Sequence, residues 1–378
     1  MIGRRFHFSA LLQAILRPID PTLGTILFGL LVYAVIVQSS AAPDLISKQI
    51  LLILLALVLM WVVASIPAQR LLSIAPALYV ACVALLVLVN LFGEVSKGAQ
   101  RWLNLGFIRV QPSEVMKIAM PMALAWFFQK REGFISWQEF FVAMVLLLVP
   151  VALIAKQPDL GTAVLVCAAG IYVIFFAGLS WKLIAPVVIV GAVAIGAFAI
   201  SGDQLCQSDI EWPGMREYQK QRVCTLLDPT RDPLGKGFHI IQSTIAIGSG
   251  GFDGKGWREG TQTHLAFLPE RHTDFVFAVL SEEFGFLGAL VLLGLYLALL
   301  VRGFFIAAAA QTLGSRLLAG AMTMIFFTYV FVNIGMVSGI LPVVGVPLPF
   351  ISYGGTALVT LCIGLGILMS IRRNWQDR

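Results

Sequence analysis

Ten apolar runs, each long enough to cross the hydrocarbon core of a bilayer as a helix, leave this chain little freedom in what it can become. They fall at 23–41, 48–65, 71–93, 113–129, 138–155, 160–178, 183–200, 275–301, 317–340 and 355–371. A helical crossing takes about 20 residues. Of the 378 residues, 59% are hydrophobic and 12% charged, against about 25% charged in a soluble domain. Mean hydropathy is +0.90. In lipid every backbone polar group has to be satisfied within the spanning structure, and the alternating pattern of barrel strands does not occur in the sequence. The fold class is therefore all-α: a polytopic integral membrane protein of ten transmembrane helices, one domain over 1–378. Solenoid repeats and transporter-like internal symmetry are both absent from the sequence.

Basic residues set the expected orientation. With the N-terminus (Arg4, Arg5, Arg17) inside, ten crossings return Arg372, Arg373 and Arg378 to the same side, joined there by Arg70, Lys130, Arg131, Lys182, Arg302 and Arg316. The short outer segments hold only Lys48, Lys97, Arg101, Arg109, Lys117 and Lys156. That asymmetry predicts both termini in the cytoplasm, and it accounts for the net charge of +6 without a nucleic-acid surface. A cleavable signal peptide is not expected, because no small-residue cleavage site follows the first run.

The same topology puts 201–273, between the seventh and eighth runs, outside as a long loop. Phe238, Ile240, Ile241, Ile245 and Ile247 give it apolar anchors suited to interfacial or re-entrant helices, and loops of this length are functional or disordered. Cys206 and Cys224 are its only cysteine pair. An oxidising compartment would permit a bridge between them, and two free thiols are the alternative. Cys82, Cys167 and Cys362 lie in apolar runs and read as core.

Polar residues the membrane should reject carry the functional signal. In "LPERHTDFVFAVLSEEFGF", Asp274 opens the eighth run behind Arg271, His272 and Thr273. It is either a helix cap or an ionisable group at the mouth of a membrane site. Glu282 and Glu283 lie deeper and are expected to pair with neighbouring helices. In "KGAQRWLNLGFIRVQPSEVMKIA", Pro112 starts a helix on which Glu114 and Lys117 form an i,i+3 pair, while Trp102 and Arg109 suit headgroup positions. "KQPDLGT", with Lys156 and Asp159, and "GVPLPFISYGGT", with its helix-breaking prolines and glycines, complete four clusters on the expected outer face. No cysteine or histidine spacing resembles a zinc site.

In this order, "GAQRWLNLGFIRVQPSE", "KQPDLGT", "FLPERHTDFVFAVLSEEFG" and "PLPFISYGGT" resemble the SEDS family of shape, elongation, division and sporulation proteins over essentially the whole chain. "RPID" and "LPERHTDF" are more similar to its elongation branch than to its division branch. The resemblance implies a glycosyltransferase of the bacterial inner membrane that polymerises lipid II into peptidoglycan. It also implies a class B penicillin-binding protein, a transpeptidase, as partner. The family's essential aspartate falls on Asp274, and other functional positions fall on Glu114, Lys117 and Asp159.

The chemistry fits those residue types. A sugar hydroxyl is a poor nucleophile at neutral pH, so a carboxylate that takes its proton is needed, and Asp274 is the candidate. A lipid pyrophosphate leaves without a general acid but needs positive charge around it. Lys97, Arg101, Lys117 and Arg271 are candidates for that clamp, with His272 beside them and Arg216, Arg222 and Lys255 in the loop. A divalent cation, Mg2+ or Mn2+, would act by the same electrostatics. One displacement with a general base predicts inversion. The competing expectation is a flippase or transporter of the lipid-linked precursor, which predicts ionisable residues along a path through the bilayer; a scaffold that only recruits the transpeptidase would leave Asp274 replaceable.

Overall fold

Helix boundaries fall where Pro, Ser, Thr and Asp interrupt the apolar runs. The computed structural model describes residues 17–96, 99–104, 109–131, 136–178, 236–264 and 270–376, with isolated positions between 185 and 225. α1 (Pro21–Ala41) starts on Asp20, whose carboxylate accepts from Leu23 N, with Pro at the first position. α2 (Ile46–Ser65) and α3 (Ala68–Phe92) follow. α4 (Pro112–Lys130) also begins on proline. α5 (Trp137–Lys156) carries a Ser136–Glu139 capping box, and α6 (Leu160–Phe176) is capped by Asp159. Further along the chain come α7 (Lys236–Ser249), the single turn α8 (Thr261–His264), α9 (Val276–Ala309), α10 (Leu313–Val337) and α11 (Gly355–Gln376). Nine of the ten expected runs coincide with helices; the other, 183–200, lies almost wholly outside the described residues. Seven of these helices have the length and hydropathy of a crossing. α6 is shorter, at 17 residues, and α4 gives up hydropathy to Glu114 and Lys117.

Burial separates the core from the lipid-facing rim. The apolar windows of α10 and α11 are 72% buried, those of α2 and α5 only 22%, so α10 and α11 form the centre together with α4, 14 of whose 19 residues are buried. α2 lies along α11, α9 along α10 and α1, α3 along α4, and α6 against α10, α4 and α5. Leu51, Leu54 and Val58 of α2 and Phe141, Val145 and Leu148 of α5 stay exposed at helical spacing. In lipid such faces carry no solvation penalty.

Two features were not expected. Between α3 and α4 the chain forms a small antiparallel sheet, β1 (Glu94–Ser96), β2 (Ala99–Asn104) and β3 (Arg109–Val110), in the order β1-β2-β3. Its strands are too short to show a period in the sequence. The second lies in α9, which breaks at Gly285 (φ 62°), where the 251–256 segment fills the gap in the ladder. Lys255 N and Gly256 N donate to the carbonyls of Glu282 and Glu283, each at 3.0 Å, and Phe286 N and Leu287 N donate back to Gly251 O and Phe252 O at 3.0 and 3.1 Å. A Cβ at Gly250, Gly254 or Gly285 would run into the facing backbone. A helix broken inside a membrane protein is tolerated where its freed groups find partners, and "GSGGFDGKG" supplies them. Cys206 and Cys224 are joined by a disulfide.

Candidate active site

Asp274 sits in a turn whose backbone is held from three directions. The turn starts at Glu270, with φ 52°, and Glu270 O accepts from Thr273 N at 3.0 Å and Phe275 N at 3.4 Å. The carbonyls of His272, Thr273 and Asp274 are then fixed by separate elements. His272 O accepts from Gln38 Nε2 of α1 at 2.9 Å and from Tyr353 N at 2.8 Å. Thr273 O accepts from Ser352 Oγ at 2.6 Å. Asp274 O accepts from Asn333 Nδ2 of α10 at 3.0 Å.

These same groups pin the 338–354 connection. Gln38 Nε2 also reaches Ile351 O at 2.9 Å, Asn333 Nδ2 reaches Val346 O at 2.7 Å, Ser352 Oγ accepts from Leu348 N at 2.8 Å, and Tyr296 OH donates to Pro349 O at 2.6 Å. The expected convergence of "LPERHTDF" and "GVPLPFISYGGT" is thus a set of hydrogen bonds, and the His272 ring lies edge-on to Tyr353 at 5.8 Å. α9 takes Phe275 as its cap residue, without a side-chain cap bond. Asp274 is half-buried, with its Oδ2 3.3 Å from where a Cβ on Gly345 (φ 72°) would stand.

A second cluster adjoins the first. Asp159 Oδ1 accepts from Thr162 N at 3.3 Å. Its Oδ2 accepts from Gln111 Nε2 at 3.2 Å and lies 3.7 Å from Arg101 Nε, while Arg101 Nη2 donates to Pro158 O at 3.0 Å. Lys117 Nζ donates to Glu114 Oε1 at 2.6 Å and to Tyr329 OH at 2.7 Å. Thr360 Oγ1 of α11 reaches Glu114 Oε2 at 3.4 Å. Glu114, Lys117 and Tyr329 therefore join α4, α10 and α11 through one buried polar knot. The clusters meet at Gly161, where a Cβ would stand 2.7 Å from Val344 O, next to the Gly345 that faces Asp274.

Among the candidates from sequence, Asp274, His272 and Arg271 share one turn, Arg101 and Asp159 share a contact, and Glu114 and Lys117 form the expected pair. Lys97, Arg216 and Arg222 lie outside the described residues. Lys117 is 3% exposed, so its ammonium is committed to the helix interface instead of an open surface. Lys255 is committed to Glu282 Oε1 at 2.7 Å, which also accepts from Thr261 Oγ1 and Gln262 N at 3.1 and 3.0 Å. Glu282 therefore pairs with the 255–262 segment, whereas Glu283 accepts from Ser40 of the neighbouring α1, as expected. No group of three or more His, Cys, Asp or Glu able to hold a metal occurs among the described residues.

Sequence reasoning missed Gln38, Asn333 and Ser352, each at most 4% exposed; a lone amide in an apolar run was the available signal. It also missed His239 of α7, whose ring stacks on Phe275 at 5.8 Å. Burial holds that imidazole below its usual range, partly offset by the charge of Glu270.

Residues 21–377 match the family described as cell cycle protein, FtsW/RodA/SpoVE. The chain is 53% identical over 357 residues to the peptidoglycan glycosyltransferase MrdB of Escherichia coli K12, covering 93% of each chain. It is 33% identical to the peptidoglycan glycosyltransferase RodA of Treponema pallidum, covering 86% of this chain and 88% of that one. Among solved structures, it resembles one reported as structural coordination of polymerization and crosslinking by a peptidoglycan synthase complex, with TM-score 0.78, 35% identity, and coverage of 95% of this chain and 99% of that one. The crystal structure of the rod shape determining protein RodA of Thermus thermophilus aligns with TM-score 0.68 at 30% identity, covering 94% and 97%.

Proposed function

We propose, because this chain belongs to the FtsW/RodA/SpoVE family of cell cycle proteins, that it is a peptidoglycan glycosyltransferase that polymerises lipid II, with Asp274 as general base. The observation that carries the assignment is the turn itself: three consecutive carbonyls are fixed by Gln38, Ser352 and Asn333 while Asp274 as a residue is only half-buried. A base held this way loses little orientational freedom on the way to the transition state. In the reaction, Asp274 takes the proton of the acceptor sugar's 4-hydroxyl as that oxygen attacks the donor's anomeric carbon. The bond to the lipid pyrophosphate breaks and the configuration inverts. Arg271, in the same turn, and Arg101, half-buried beside Asp159, offer charge to the departing oxygens. Mg2+ or Mn2+ would be held mainly by the substrate's own phosphate oxygens with one or two protein carboxylates, the manner in which Mg2+ is commonly bound; no group of three or more His, Cys, Asp or Glu occurs among the described residues.

The bundle's two ends support the proposed orientation. Arg70, Lys130, Arg131, Arg302, Arg316, Arg372 and Arg373 lie at the end opposite Asp274, consistent with that end and both termini facing the cytoplasm of a bacterial inner membrane. Asp274 then faces outward, within reach of a class B penicillin-binding protein. The similarity to a chain from a peptidoglycan synthase complex supports such a partner. A flippase would need charged groups along the whole span, whereas Glu114, Lys117, Glu282 and Glu283, set within the helices, all lie in the half nearer Asp274. The test is glycan polymerisation from labelled lipid II by the purified chain with its transpeptidase partner, moenomycin silencing contaminating enzymes. Polymer from wild type and none from Asp274→Asn is expected; equal polymer from both would move the base elsewhere.

A further inference from the structure

At the far end of α9 from Asp274, roughly 40 Å away at 1.5 Å per residue, a cavity of about 150 Å3 opens between α9 and α11. Arg302, Phe305, Ile306, Ala310, Ile371 and Arg372 line it. Its charge does not balance. Arg302 Nη2 and Nε contact Asp20 Oδ2 and Oδ1 at 2.6 and 3.2 Å, and Arg372 Nε lies 2.8 Å from the same Oδ2. One carboxylate, 1% exposed, thus serves two guanidiniums. The Nη atoms of Arg372 have no partner among the described residues, although its side chain is only 16% exposed. Arg316 adds a third cation against the wall, its Nη2 3.4 Å from Ala310 O, again with no carboxylate partner among the described residues.

Guanidiniums in excess of their counter-charge, Arg302 and Arg372 largely buried in the cavity wall and Arg316 exposed beside Ala310, call for an anion, and their planar fork matches phosphate oxygens. The cavity also leads onto an apolar track. Leu297, Val301 and Phe305 are 61%, 46% and 64% exposed, and at i, i+4 and i+8 they lie on one face of α9, running from the cavity toward the middle of the span. A free phosphate would leave that track unused, whereas a phospholipid would occupy both. We propose that this cavity binds the phosphodiester headgroup of an anionic phospholipid from the leaflet at that end, its acyl chain lying along Leu297, Val301 and Phe305.

Native mass spectrometry of the full-length chain, released from nanodiscs of mixed phosphatidylglycerol and phosphatidylcholine, tests this. Wild type is expected to retain phosphatidylglycerol in preference to phosphatidylcholine. Arg372→Gln and Arg316→Gln should each lower that retention about five-fold, and Arg372→Lys should keep part of it. Inorganic phosphate at millimolar concentration should not displace the lipid. Equal retention of both lipids, or wild-type retention by both glutamine variants with normal unfolding temperatures, would overturn the proposal. Displacement by inorganic phosphate would overturn its lipid component. If Arg372→Gln fails to fold, the Arg316→Gln result decides, since Arg316 takes no part in the Asp20 contacts.

Discussion

Asn333 holds Asp274 by its backbone: one amide nitrogen at the buried face of α10 donates at 3.0 Å to the Asp274 carbonyl and at 2.7 Å to the Val346 carbonyl. Both acceptors are carbonyls, so the amide orientation is dictated by its surroundings. The turn before α9 and the connection before α11 consequently cannot move independently, which makes the position of the Asp274 carboxylate a property of three elements.

Removing this link should separate positioning from chemistry. Asn333→Ala leaves two carbonyls short of a donor in a buried site, a cost of about 1–3 kcal/mol. Polymerisation from lipid II should fall by at least about ten-fold, following the general sensitivity of catalysis to small misplacements. The fall should appear mainly in kcat, because Asn333 is fully buried and offers nothing to substrate. A change confined to KM would argue against the positioning role.

Gly345 is a second constraint on the same carboxylate. Its φ of 72° is one that side-chain-bearing residues adopt at a cost of about 1–2 kcal/mol, and an added Cβ would sit 3.3 Å from Asp274 Oδ2. Gly345→Ala is expected to displace the carboxylate and reduce glycan synthesis more than it lowers Tm, whereas Gly294→Ala, where a Cβ meets nothing within 4 Å, should leave both near wild type. Parallel polymerisation assays and thermal melts of the two variants make the comparison.

Much of this arrangement was readable from sequence, and the part that was not has a physical reason. Apolar runs report their own helices because lipid imposes length and hydropathy, and a Pro-Ser-Glu start or an Asp before Leu-Gly-Thr reports its own cap. Asp274, Glu114 and Lys117 stood out because charge within apolar sequence is costly. Asn333 and Gln38 offered only the signal of a lone amide in a run of more than fifteen residues, and their partners are backbone carbonyls 59 and 234 residues away, which no local pattern encodes. The break at Gly285 was hidden for the same reason, since the groups that repair it come from 251–256. The β1–β3 sheet lacked the length to show alternation.

Glu114 and Lys117 should behave as one unit. Lys117 is nearly inaccessible, and the pair shares Tyr329 and Thr360. Lys117→Met alone leaves a buried carboxylate without its cation, and Glu114→Gln alone leaves a buried ammonium; each is expected to cost about 3–5 kcal/mol. The double variant should regain a large part of that loss, because neutralising both charges removes the desolvation penalty along with the attraction. A double-mutant cycle on unfolding midpoints measures the coupling, and additive losses would show that the two charges are held separately.

Asp20 provides a pH test at the opposite end of the bundle. Burial alone would raise its pKa, but the hydrogen bonds from Arg302 and the Leu23 backbone and the charges of Arg372 and Arg302 together outweigh burial and hold it below the ordinary 3.8. A carboxyl whose folded pKa is depressed contributes stability that is fully present above its unfolded pKa and is lost as pH falls through the lower folded value. The Tm difference between wild type and Asp20→Asn should therefore be flat from about pH 5 to 8, at a cost to the variant of about 3 kcal/mol, and should shrink only below about pH 4. Arg302→Lys should lose part of the same difference, since an ammonium cannot reproduce the two-point contact of the guanidinium. A difference that already narrows between pH 7 and 5 would mean that Asp20 titrates in its ordinary range or above, and that the two arginines do not hold it in its charged form.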